Sequence, residues 1–309
     1  MFALLRFVPM PVLRVLALIA YLLARLFNAS IYRSIKTNIM LVYPDMPEHK
    51  RLALANESLK NQLISTVDSA KCWAMPPEWA IAQIKTVHNA HILEAGLQSP
   101  TGMLIIAPHI GTWEMMNAWV GTQGNLTIMY KPTGKVQMDN FVLQGRKKLN
   151  ATLVPTDATG VKAIFKTLKD GGFSVLLPDH VPDKNGGVIA PFFGIPTMTG
   201  TLASKLAQKT HCKLVGLACI RRDDNDGFDV FCYDLASPLL YDKDPTVASS
   251  ALNTAMEQMI YAHFSHYMWG YRRFKTTPFG ENPYLLPFDE LHALAKSYKH
   301  GITNTKDNQ

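Results

Sequence analysis

The stretch MLIIAPHIGTWEMMN, residues 103–117, joins an unbroken apolar run to a proline, a histidine, a glycine-threonine pair and a second apolar series headed by an acidic residue. Five apolar residues over 103–107 suit a strand buried on both faces. Pro108 ends it, because it lacks the N–H that a sheet ladder needs. Gly111 and Thr112 supply a turn and a helix start, which sets Glu114 in the first helical turn. Ligands of open α/β sheets gather at the carboxyl ends of strands, so His109 stands where chemistry is expected.

The same alternation continues on both sides of this stretch. Apolar runs at 126–130, 173–177 and 213–220 read as strands, and helical spacing marks 113–120, 139–149, 160–169 and 202–209. Segment 228–234 reads as a late strand antiparallel to its neighbour, and 245–267 as a long amphipathic helix. A helical stretch over 47–70 precedes the alternating region, ended by the Pro76-Pro77 pair. The expected fold class is α/β, a largely parallel or mixed central sheet flanked by helices, with an N-terminal membrane-anchoring helix.

Residues 1–27 are apolar but interrupted by Arg6, Arg14 and Arg25, and the longest uncharged run, 15–24, falls short of the roughly 20 residues that span a bilayer. No small-residue cleavage pattern follows, so the segment reads as an uncleaved anchor, lying in the interface or crossing with Arg14 reaching for the headgroups. The expected organisation is an anchor over 1–27, a catalytic domain over 28–300 and a polar tail over 301–309.

The 309 residues carry a net charge of +7 and a mean hydropathy of +0.01, with 18% charged residues. This excludes a disordered chain and suits an anionic membrane surface, an acidic protein partner or nucleic acid, among which charge alone does not choose. Cys72, Cys212, Cys219 and Cys232 show no paired spacing and sit mainly in apolar segments, as reduced core thiols do. His263 and His266 have no acidic or cysteine ligands nearby in sequence, and neither a metal nor a cofactor is expected. The motifs of serine hydrolases, dinucleotide-binding proteins and P-loop enzymes are absent from the sequence.

His109 and Glu114 form a His-x4-acid pair. On one continuous helix their side chains would diverge by about 140°. With His109 in the loop and Glu114 on the helix they can face one another, as a general base and the carboxylate that fixes its tautomer. The spacing is weak by itself. Ten histidines and 24 acidic residues in 309 positions give roughly one chance match.

Context strengthens it. The segment APHIGTWEMMN resembles the first block of the late lipid A acyltransferases, members of the glycerolipid acyltransferase superfamily with its His-x4-Asp/Glu motif. Further resemblances follow in the family's order: Tyr130-Lys131-Pro132, Gly145-Arg146, the run from Gly171 to Asp179, Pro191-Phe192-Phe193-Gly194, and WGYRRFK from Trp269 to Lys275. The resemblance implies a membrane-bound acyltransferase at the cytoplasmic face of the inner membrane. It would move a fatty acyl chain from a thioester, on acyl carrier protein, to a hydroxyl of a lipid A precursor. His109 would be the base and Glu114 its partner. Lys131, Arg146, Asp179, Arg272, Arg273 and Lys275 would contact substrates, and no nucleic acid would be bound. Arg272, Arg273 and Lys275 read equally as a solvated basic face when the resemblance is set aside.

Three positions depart from the family pattern. Lys131 stands where an arginine is usual, His180 where a glutamine follows the aspartate, and Tyr271 where a histidine precedes the two arginines. These leave the acceptor open. Another glycolipid, an aminolipid or a glycerophospholipid remains an alternative, as does a non-catalytic membrane-binding protein.

Overall fold

The computed structural model describes residues 2–130, 132, 134–183, 185–278 and 282–299. Lys131 and the tail over 301–309 therefore lie outside the described residues.

Three helices open the chain: α1 (Met10–Leu26), α2 (Ser30–Val42) and α3 (Glu48–Ala74). The sheet region follows as β1 (Ile84–His88), β2 (Met103–Ile106), β3 (Leu126–Tyr130), β4 (Ala151–Pro155) and β5 (Phe173–Leu176). Interspersed with these strands are α4 (Pro77–Gln83), α5 (Ala90–Leu97), α6 (Trp113–Val120), α7 (Val136–Arg146) and α8 (Ala158–Lys169). The hairpin β6 (Gly187–Phe192) and β7 (Ile195–Gly200) leads through α9 (Leu202–Thr210) to β8 (Lys213–Arg221) and β9 (Phe228–Asp234), and α10 (Pro245–Ala262) and α11 (Phe288–Lys299) close the fold.

Seven strands form one sheet in the order β1-β9-β8-β2-β5-β3-β4. Every pairing is parallel except that of β8 with β9, so the sheet is mixed and mostly parallel. The late strand is antiparallel to its neighbour, as its position in the sequence suggested. β2 and β5 are buried at every residue, which is why they read as unbroken apolar runs. Alternate side chains of β2 enter opposite layers. Leu104 and Ile106 pack with Ile164 and Leu168 of α8 and Leu206 of α9. Met103 and Ile105 pack with Met115 and Met116 of α6. Strands β1 and β4 and the hairpin β6–β7 are additions to the elements expected from sequence.

Among the described residues no single helix is long and apolar enough to cross a membrane. α1 and α2 meet at a bend of 73°. Leu13 and Ala17 bury one side of α1, which packs along α3. The rest of the helix exposes Val15, Leu16, Ile19, Leu22 and Leu23, ending in Leu26 and Phe27 at 75% and 73% exposure. Arg14 does not reach outward, as a crossing segment would require, but packs inward. Its Nε lies 3.5 Å from Asp68 of α3, and Nη1 donates to the carbonyl of Asn225 at 3.1 Å.

Candidate active site

The order of the strands decides the site. β2 and β5 are adjacent and in register, with Ile106 opposite Leu176. Counting three residues past each strand end gives His109 on one side and Asp179 on the other. The two meet there: His109 Nδ1 lies 2.8 Å from Asp179 Oδ1, and the backbone N–H of His109 donates to Oδ2 at 3.0 Å. A carboxylate held by both the ring and the backbone of one residue fixes that residue's orientation.

The loop carrying His109 is pinned from two sides. Gly111 N–H donates to the carbonyl of His266 and Thr112 N–H to that of Cys219, both at 2.8 Å, while the His109 carbonyl accepts from Met268 N–H at 2.9 Å. Gly111 has φ +63°, and a Cβ there would lie 2.0 Å from the Cys219 carbonyl oxygen, so only glycine lets the loop approach β8.

Asp179 is 1% exposed. Burial acts to raise its pKa, but attraction to His109 and the hydrogen bonds from its ring and backbone outweigh that, and the carboxyl is held below the usual range. The imidazole is sandwiched as well. The ring of His180 lies parallel to it, 3.9 Å between centroids, and the Trp113 ring meets it edge-on at 4.6 Å. Tyr271 stacks on the far face of His180 at 3.9 Å, and its hydroxyl accepts from Val181 N–H at 3.0 Å. Burial first, then repulsion from His109, pushes the His180 pKa down to about 4, so this ring is neutral at physiological pH. Two of the three departures from the family pattern, His180 and Tyr271, are thus one stack against the histidine.

With Nδ1 committed to Asp179, Nε2 is the ring nitrogen left to exchange a proton. His109 lines a cleft of about 120 Å³ with Trp113, His266, Met268 and Trp73. The opposite wall is a polar stripe of α3: Gln62, Ser65, Thr66 and Ser69. These residues recur at helical spacing, a pattern visible in the sequence though not read as part of a site.

Glu114 is a correction. It was expected opposite His109, yet it sits on α6 at 2% exposure, where both carboxylate oxygens accept from Arg146 of α7 and Oε2 also accepts from Asn117 at 3.3 Å. No hydrogen bond joins Glu114 to His109 among the described residues. Burial would raise its pKa, but Arg146 and Asn117 prevail and lower it. One turn of helix separates the expectation from the outcome: the first turn of α6 carries Glu114 toward α7, and the strand beside β2 supplies the carboxylate instead.

The remaining expected contacts divide. Arg146 is occupied by Glu114 and lies over the Tyr130 ring. Arg273 is a second correction, being 1% exposed. Its Nη1 donates to the Met198 carbonyl at 2.7 Å, Nη2 to the Thr199 hydroxyl at 2.9 Å, and it stacks over Phe192. These contacts fasten it to the β6–β7 hairpin. Arg272 and Lys275 are exposed. Phe192 and Phe193 are core residues, and Phe193 turns the hairpin at φ +53° with its N–H donating to Glu257 at 2.7 Å. The four cysteines are free, and Cys212, Cys219 and Cys232 are buried.

A family model for bacterial lipid A biosynthesis acyltransferases matches residues 1–276. Among curated proteins, the chain is 26% identical over 257 residues to a lipid A biosynthesis acyltransferase of Haemophilus influenzae, covering 81% of this chain and 79% of that one. It is 27% identical over 247 residues to the lipid A biosynthesis lauroyltransferase of Escherichia coli, covering 79% and 78%. It is also 22% identical over 277 residues to the palmitoleoyltransferase of the same organism, covering 89% and 88%.

Proposed function

Because the chain belongs to the bacterial lipid A biosynthesis acyltransferase family, we propose that it acylates a hydroxyl of a lipid A precursor at the cytoplasmic face of the inner membrane, with His109 as general base and Asp179 as its orienting carboxylate. The hydrogen-bonded His109–Asp179 pair at the ends of two adjacent strands carries this reading.

An alcohol is a poor nucleophile at neutral pH, so its proton must be removed as it attacks. His109 Nε2 takes that proton while the hydroxyl oxygen bonds to the thioester carbonyl. The tetrahedral intermediate then collapses, the C–S bond breaks, and the imidazolium returns its proton to the departing sulfur. Asp179 keeps the proton of the neutral ring on Nδ1 and stabilises the imidazolium that forms between the two transfers. Glu114 serves the same site indirectly, by locking α6 to α7 through Arg146.

The donor in this proposal is an acyl-carrier-protein thioester. Such a carrier is strongly acidic, and Arg272 and Lys275 are exposed cations on a basic chain. The membrane contact is α1, whose exposed apolar side suits an orientation parallel to the surface.

Purified protein incubated with an acyl-carrier-protein thioester and a lipid A precursor should yield a product heavier by one acyl group by mass spectrometry. The rate at subsaturating donor should fall with added salt, because exposed charges are screened over about 8 Å at physiological ionic strength. Acylation of other lipids but not of the precursor would overturn the acceptor, and equal use of acyl-coenzyme A without a salt effect would overturn the donor.

A further inference from the structure

We propose that the groove between α2, the start of α3 and the start of α11 binds the headgroup of an anionic glycerophospholipid drawn from the surrounding bilayer. The groove encloses about 420 Å³ and is separate from the cleft at His109. Arg33, Lys36 and Arg51 line it, with Glu48 as the one carboxylate of the lining. None of the three cations forms an ion pair among the described residues. Arg33 donates to the Asn28 carbonyl at 2.7 Å and Arg51 to the carbonyls of Pro44 and Met46, so the neutral acceptors leave their charge uncancelled.

Lys36 is the informative member. Its Nζ lies over the Tyr32 ring, 4.8 Å from the centroid, and burial first, then repulsion from Arg33, lowers its pKa, so a nearby anion would favour its charged form. A phosphodiester supplies that anion with several acceptor oxygens.

The apolar surroundings indicate where the anion comes from. Leu52, Leu286 and Phe288 line the same groove, and Leu52 and Phe288 are also exposed to solvent. Asn28, another lining residue, directly follows Leu26 and Phe27, the exposed end of α1. Cations beside exposed apolar residues in one groove match a headgroup whose acyl chains stay in the membrane that α1 would touch. A free phosphate would make no use of the apolar residues. The inference rests on the placement of α1 in the bilayer interface.

Co-sedimentation with phosphatidylcholine vesicles, with and without phosphatidylglycerol, separates the two. Binding to neutral vesicles reports on α1, and the increment on adding phosphatidylglycerol reports on the groove. The double variant Arg33→Ala/Lys36→Ala should lose roughly tenfold of that increment, while Lys162→Ala/Lys169→Ala, removing two exposed cations of α8, should keep it. Equal losses in the two variants would show diffuse attraction and overturn the site. A raised KM for the lipid acceptor in phospholipid-free detergent, with the increment kept, would overturn it in favour of an acceptor contact. Dihexanoyl-phosphatidylglycerol should also raise the Tm of the unaltered protein and not that of Arg33→Ala/Lys36→Ala, which tests the site without vesicles. An equal rise with inorganic phosphate would overturn the lipid as ligand.

Discussion

Two buried carboxylates stand close to His109 in the chain or in space, and they do different things. Asp179 comes from a neighbouring strand, holds the ring and backbone of His109, and reaches a cleft through it. Glu114 is five residues from the same histidine, yet it is satisfied by Arg146 and Asn117 in the layer between α6 and α7. Both pKa values are lowered, both groups are buried, and both have a basic neighbour. What separates them is the partner. An arginine stays charged at any ordinary pH, whereas a histidine can give and take a proton there. A perturbed carboxylate is thus no mark of catalysis until the group it perturbs in return is known.

The largest effect should come from the shared histidine. His109→Ala should lower turnover by roughly 10²–10⁴, the range for loss of a general base, and should also lower the melting temperature, because it leaves Asp179 buried without the ring that holds it. Near-normal acyl transfer by a folded variant would remove the basis of the comparison. Asp179→Asn should cost about 10² in kcat, because an amide can hold the ring without stabilising the imidazolium. KM should move much less.

Glu114→Gln is the decisive contrast. It leaves Arg146 mostly buried without its counter-charge, so the expected loss is stability, about 3 kcal/mol by denaturant unfolding, with kcat per folded molecule reduced less than in Asp179→Asn. A Glu114→Gln protein of unchanged stability and severely reduced kcat would reverse the two roles and restore the pairing that the His-x4-Glu spacing suggests. The smallest effect belongs to Tyr271→Phe, which removes the acceptor of the Val181 N–H just beyond Asp179. A loss of about 1 kcal/mol in stability and a few-fold in kcat would mark it as a support for the His180 stack.

The sequence exposed those parts of the molecule whose surroundings are uniform. β2, β5 and β8 are buried on both faces, so their composition alone announces them. β1, β4 and the hairpin are only half-buried and mix polar with apolar residues, leaving no run to detect. His109 was legible because a strand end, a proline and a turn converge on it. Asp179 was legible as a site residue but not as the partner of His109, because it is 70 residues away and becomes a neighbour only through the placement of β5 beside β2, while β3, next in sequence, lies one strand further out. Arg273 misled for a related reason. Its basic neighbours suggested an exposed face, but the hairpin it fastens was not among the expected elements.

The N-terminal helix is fastened in the same manner. Asp68 is fully buried between Arg14 of α1 and Arg221 at the end of β8, and burial raises its pKa to about 6 against the pull of both arginines. Lys71, one turn further along α3, donates to the carbonyls of Leu5, Arg6 and Val8 at 2.8–3.0 Å. A protein tethered by a pliable linker swings on its anchor and meets lipids at many heights. Under the membrane contact proposed for α1, an anchor bolted to the wall of its own cleft would work as a depth gauge: α1 in the interface would set the height of His109 above the acyl chains, and only a hydroxyl lying at that level in the bilayer would come within its reach.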